Sequence, residues 1–101
     1  LQAVVAGQPD PRRAELEGSK SFAVFVDGKV ASSARATIER HDFAPDEVVI
    51  DGGTIYLWCP EGIGRSPSGR FAWDRRLGAA TTTRNWNTVR KLLELTAPDG
   101  H

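Results

Sequence analysis

Glu47-Val48-Val49-Ile50-Asp51-Gly52-Gly53-Thr54-Ile55-Tyr56-Leu57-Trp58 decides how this chain folds. Two runs rich in β-branched and aromatic residues flank Asp51-Gly52-Gly53, a short turn whose glycines admit positive φ, so the stretch reads as a β-hairpin. Side chains alternate across a strand, which sends Ile55 and Leu57 to one face and Tyr56 and Trp58 to the other. Pro60 stops the second strand.

Upstream, Ser21-Phe22-Ala23-Val24-Phe25-Val26 is apolar on both faces, which places it centrally in a sheet, and Asp27-Gly28 closes it. Between this strand and the hairpin, a helix capped by Ser32 or Ser33 carries a narrow stripe of Ala34 and Ile38 and ends near Arg40-His41. Downstream, Ser66 as N-cap and Pro67 at the first helical position open a helix with Phe71, Ala72 and Leu77 as its apolar positions, ended by Gly78. Ala79 to Thr83 follows as a short edge strand. Asn85 or Asn87 caps a last helix, in which Val89, Leu92, Leu93 and Thr96 recur at helical spacing until Pro98. From residue 21 the order is β-α-β-β-α-β with an added C-terminal helix, an α+β, ferredoxin-like pattern with an antiparallel sheet. Ahead of it, residues 1–19 read as a partial helix carrying Leu1, Val4 and Val5, then a break at Gln8-Pro9-Asp10-Pro11. Arg12 to Lys20 reads as a polar connector, and residues 20–97 hold the core and terminal helix.

A chain of 101 residues suits one domain with a single core, spanning 1–101. Its apolar stretches, Val48-Val49-Ile50 and Ile55 to Cys59, are too short to cross a bilayer, and no signal-peptide pattern opens it, so a cytoplasmic location with no membrane partner is expected. The single cysteine, Cys59, cannot form an internal disulfide and excludes a zinc ribbon. Cys59, His41 and His101 make neither a nucleophile–base spacing nor a metal set, so no catalytic residue, metal or cofactor is expected. The chain has no methionine and opens as though partway through a helix, which suggests a fragment of a longer protein.

Charge is unevenly placed. Residues 1–61 hold six Lys/Arg against ten Asp/Glu, and residues 62–91 hold seven against one, which hints at a polyanionic partner. The basic half contains two polar, glycine- and amide-rich segments, Glu61-Gly62-Ile63-Gly64-Arg65-Ser66 and Thr81-Thr82-Thr83-Arg84-Asn85-Trp86-Asn87-Thr88. Glycine backbone, unpaired N–H groups at a helix start and a guanidinium suit an oxyanion. Gly62, Gly64, Arg65, Ser66, Arg84, Asn85 and Asn87 are therefore the candidate site for a phosphorylated ligand or nucleic acid. The plainer alternative makes the glycines turn residues, Ser66 and an asparagine helix caps, and Trp86 a core anchor. A further candidate is the sheet face of Tyr56 and Trp58, with Ala23 and Phe25. It could stack bases, or it could lie under the C-terminal helix.

The run Asp51 to Leu95 resembles the C-terminal part of a bacterial family known as domain of unknown function 1697. The resemblance rests on Ile55-Tyr56-Leu57, on Pro60-Glu61-Gly62-Ile63-Gly64-Arg65-Ser66, on Thr82-Thr83-Arg84-Asn85-Trp86-Asn87-Thr88-Val89 and on Lys91-Leu92. Members of that family carry an additional N-terminal α+β domain, so the resemblance implies that this chain is the C-terminal domain of a longer protein and that the N-terminal domain is its partner; the alternative to an anion site is then a structural domain with no ligand of its own, its basic surface packed on that partner. It brings no activity. Departures fall at Gly69 and Trp73, in a helix that is more apolar in the family, and at Cys59, where an aromatic is common.

Overall fold

The computed structural model describes residues 2–96, with the side chains of Gln2, Arg65 and Thr96 outside the description. Leu1, Pro98 and His101 therefore lie outside the described residues. The elements run α1 (Gln2–Ala6), α2 (Pro11–Leu16), β1 (Ser21–Val26), α3 (Ser32–Arg40), β2 (Glu47–Asp51), β3 (Thr54–Trp58), a 3-10 turn (Ile63–Arg65), α4 (Trp73–Leu77), β4 (Thr81–Asn85) and α5 (Trp86–Thr96).

The four strands form one antiparallel sheet in the order β2-β3-β1-β4. The fold is α+β, with a roughly ferredoxin-like topology. The hairpin and the central position of β1 follow the sequence pattern directly: Gly52 turns at φ +61°, and β1 is paired on both sides. Period-two alternation then splits the core into two layers. Phe22, Val24, Ile50, Ile55 and Leu57 face α3 and the 59–73 segment, where Ile38, Phe43, Phe71 and Trp73 close over them. Ala23 and Tyr56 face the other way, toward Ala14 of α2 and Trp86 and Val89 of α5, with Val4 and Val5 of α1 at the margin.

Four local expectations change. Of the connector expected over Arg12 to Lys20, the part up to Leu16 is helical instead, in α2, because Asp10 caps it, accepting the Arg13 N–H at 3.1 Å, and Pro11 occupies its first turn; residues 17–20 form a turn. Neither Ser32 nor Ser33 caps α3; the cap position is Ala31, without a side-chain bond. The edge strand runs over 81–85, two residues later than the 79–83 expected, in register with β1.

The largest correction concerns the helix expected to run from Pro67 to Leu77. Only Trp73–Leu77 is helical there, entered through Ala72 in the left-handed region at φ 57° and closed, as expected, by Gly78 at φ 65°. Helix would have carried Ser66 and Ser68 on past the core. Instead both hydroxyls turn inward, Ser66 at 2% exposure and Ser68 at 0%, and Gly69 lies so close to the Ile63 carbonyl that any side chain there would collide with it. Buried polar partners outweigh local helix propensity in this segment.

Candidate functional site

Strands β3 and β4 both run antiparallel to β1, so their C-terminal ends meet its start: Trp58 lies opposite Ser21 and Asn85 opposite Phe22. The glycine loop and the Arg84–Asn87 segment consequently leave the same end of the sheet. They then part. The loop turns under the α3 face, where Ile63 packs on the core, whereas Trp86 and Val89 enter the layer on the opposite face. Among the described residues no hydrogen bond or ion pair joins the two segments.

Within the loop, Gly62 takes φ +88°, a value that favours glycine, and donates its N–H to the Cys59 carbonyl at 2.9 Å. Gly64 is exposed within the 3-10 turn, and the backbone of Arg65 completes that turn. The Ser66 hydroxyl donates to the Ile63 carbonyl at 3.1 Å and accepts the Gly69 N–H at 2.9 Å, with the Cys59 Sγ 3.5 Å away. Ser66 thus ties the loop to itself.

At the second segment Arg84 is exposed on the outer strand and shares a sheet face with Ala23. The Asn85 Oδ1 accepts the Thr88 N–H at 2.9 Å, which makes Asn85 the cap of α5. The Trp86 N–H bonds the Gly18 carbonyl at 3.1 Å, and a side chain at residue 18 would strike the Asn87 amide. Two donors at the start of α5 are therefore taken within the chain, and the Trp86 indole is 3% exposed against Tyr56 at 6.4 Å between ring centroids.

The Tyr56–Trp58 face is covered. The Tyr56 hydroxyl donates to the Val4 carbonyl at 2.7 Å, and the Arg13 guanidinium lies 4.0 Å from the Trp58 ring centroid. Arg13 also forks onto both oxygens of Glu47 at 3.0 and 3.1 Å, and the bond to Glu47 is the main cause that raises the guanidinium pKa. Burial, followed by the charge of Asp51, pushes the Tyr56 phenol up.

A buried polar chain was not legible in the sequence. Asp46 Oδ2 accepts the Ser68 hydroxyl at 2.6 Å and the Ser68 N–H at 3.0 Å, Ser68 Oγ lies 3.3 Å from Cys59 Sγ, and the Trp73 indole N–H donates to the Ser68 carbonyl at 2.8 Å. Burial is the main cause that pushes the Cys59 thiol pKa up, and the charge of Asp46 acts in the same direction; the contacts with Ser68 and Ser66 act the other way. The only sequence signal was the clustering of Ser66 and Ser68 around Pro67, which also fits a cap.

Beside Asp46 a cleft of about 440 Å³ opens between α3, the 41–46 loop and β2, lined by Ile38, His41, Phe43, Val48 and Ile50 among others. Among the described residues no group of three or more His, Cys, Asp or Glu could hold a metal ion, and no helix is long and apolar enough to cross a membrane. Comparisons with family models, with curated proteins and with solved structures found no match to this chain.

Proposed function

We propose that this domain works by binding another protein surface, and that its two conspicuous segments are chiefly folding devices. The observation that carries this reading is that Ser66 spends its hydroxyl proton on the Ile63 carbonyl and Asn85 caps α5 through its Oδ1, so both side chains serve the fold. The groups left outward belong to a sheet edge and to exposed side chains such as Leu16 and Leu95, each 73% exposed. We read the core as the ferredoxin-like β-α-β-β-α-β unit, with α3 and the short α4 in its crossovers and α5 added to close the second face. The buried free thiol of Cys59 suits a reducing compartment such as the cytoplasm.

The second reading is a site for a phosphorylated ligand or nucleic acid at Gly62, Gly64, Arg65, Ser66, Arg84, Asn85 and Asn87. Its support is the excess of basic residues over residues 62–91. Fluorescence polarisation with labelled single- and double-stranded oligonucleotides at low salt separates the two. Protein binding as the function predicts no polarisation change. Salt-sensitive binding that Arg84→Ala weakens would replace it with the polyanion reading.

A further inference from the structure

The hydrogen-bond alternation of the sheet identifies which backbone groups of β4 are open. The Asp27 N–H donates to the Ala80 carbonyl at 2.9 Å, so the pair 27/80 is hydrogen-bonded, and alternation leaves the next pair, Val26 and Thr81, unbonded to each other. The Val26 N–H confirms the phase, since it bonds the Gly53 carbonyl on the β3 side at 3.0 Å. Thr81 and Thr83 therefore turn both N–H and C=O away from β1. No strand among the described residues covers them, and Thr82, Thr83 and Arg84 are exposed.

Basic residues predominate in the sequence around this edge, with Asp27 opposite Ala80 at its start and Asp74 on α4 as acidic exceptions. Arg75 and Arg76 on α4 precede β4, Arg84 lies on it, and Arg90 and Lys91 on α5 follow it, opposed between residues 70 and 91 only by Asp74. Arg90 shares a long, exposed ion pair of 3.7 Å with Glu15, and Arg76 rests over the Phe71 ring at 4.6 Å. Arg84, in the strand itself, has neither kind of partner among the described residues. A second copy pairing through the same edge would bring like charges together, whereas an acidic strand would find complementary charge and open backbone groups in register.

We infer that the β4 edge is a strand-addition site for an extended, acidic segment of a partner protein, with a carboxylate of the segment on the Arg84 side. This rests on the protein-binding reading and supplies it with a surface and a partner chemistry. Backbone bonds to Thr81 and Thr83 give affinity, and Arg84 selects against basic strands.

The test uses the full chain, labelled with nitrogen-15, and two peptides of equal length, one alternating Glu and Val and one alternating Lys and Val. Expected are amide shifts confined to 81–85 with the Glu–Val peptide, slowed hydrogen exchange at Thr81 and Thr83, and no shifts with the Lys–Val peptide. Arg84→Glu should weaken Glu–Val binding by roughly three- to tenfold at low salt. Thr83→Pro removes an outward N–H without touching the β1 ladder, so the fold stays intact and binding is lost. Shifts mapping to the exposed leucines of α5 would overturn the edge proposal and leave the protein-binding reading standing. No shifts with either peptide, or sedimentation showing that the chain dimerises through β4, would likewise overturn it. An oligonucleotide that moves the 81–85 amides when the Glu–Val peptide does not would overturn both.

Discussion

Strands β2 and β4 each form an outer edge of the sheet, yet the chain ties β2 into the body of the molecule and leaves β4 open. Glu47 at the start of β2 is gripped by both arms of Arg13, and Asp46, the residue before it, receives two bonds from Ser68. The Arg35 Nη2 then donates at 3.5 Å to the carbonyl of Ile50, occupying an edge acceptor. Strand β4 has its ladder to β1 and the Asn85 cap, and little else. Near β2, both Glu47 oxygens and Asp46 Oδ2 are matched with donors, whereas among the described residues no ion pair involves Arg75, Arg84 or Lys91 around β4. One edge is therefore tied into the fold, and the other keeps its outer backbone groups open.

The strongest way to break the β2 side is Asp46→Ala. It removes the acceptor of the Ser68 hydroxyl and N–H, both fully buried groups, and should cost about 2–4 kcal/mol, a drop of roughly 10–20 °C in a circular dichroism melt. Asp46→Asn keeps an acceptor of the same shape and should lose less than half as much. Equal losses for the two variants would mean that the charge, and not the hydrogen bonding, holds the segment.

Proline sharpens the contrast within β4 itself. By the alternation that leaves Thr81 and Thr83 outward, Thr82 donates its N–H to the ladder with Phe25. Thr82→Pro should destabilise by about 1–3 kcal/mol, and Thr83→Pro by less than about 1 kcal/mol, measured by urea unfolding. Reversal of that order would show that the edge carries the opposite phase.

Titration separates the interior from both edges. The Tyr56 phenol and Cys59 thiol are each held above their ordinary pKa, chiefly by burial. The folded state thus keeps protons that the unfolded chain gives up. Their contribution is complete below the unfolded values, about 8.5 for the thiol and 10 for the phenol, and is lost as pH rises through the folded ones. Stability should decline from about pH 9 upward, with tyrosinate absorbance appearing later in the folded protein than in urea. Tyr56→Phe should flatten the upper part of that decline; a profile unchanged by this variant would exclude the phenol as its source.

Much of the fold was legible because it follows periodicity. Strand β1 and the hairpin depend on alternation and on glycine at Gly52-Gly53, and α5 depends on a helical stripe with an asparagine cap, all of which are local signals. The segment from Pro67 to Ala72 was not legible, because its shape is decided by Asp46, some twenty residues away in sequence, and by the close approach of Gly69 to Ile63. A Ser-Pro pair announces a helix start equally well whether its hydroxyl caps a helix or turns into a core. The candidate anion residues divide the same way: Asn85 could be read as a cap from spacing alone, whereas the covering of Tyr56 and Trp58 by α1 and Arg13 required knowing where α2 returns to the sheet.

The smallest expected change in stability, and the finest probe of the two edges, is Arg35→Ala. Arg35 pairs with Glu39 one turn along α3 in an exposed bridge of 3.2 Å, a contact worth about 0.3–0.5 kcal/mol, so unfolding should shift by less than about 1 kcal/mol. Its other role is to occupy the Ile50 carbonyl, and losing that bond opens an acceptor on the edge beside the exposed Val49. An edge opened in this way is a template for a second chain. The variant should therefore self-associate at concentrations where the parent remains monomeric, as read by sedimentation velocity, with Val49→Lys in the same background restoring the monomer. If Arg35→Ala stays as monomeric as the parent, the Arg35 bond does not guard β2, and the difference between the two edges reduces to the charges around them.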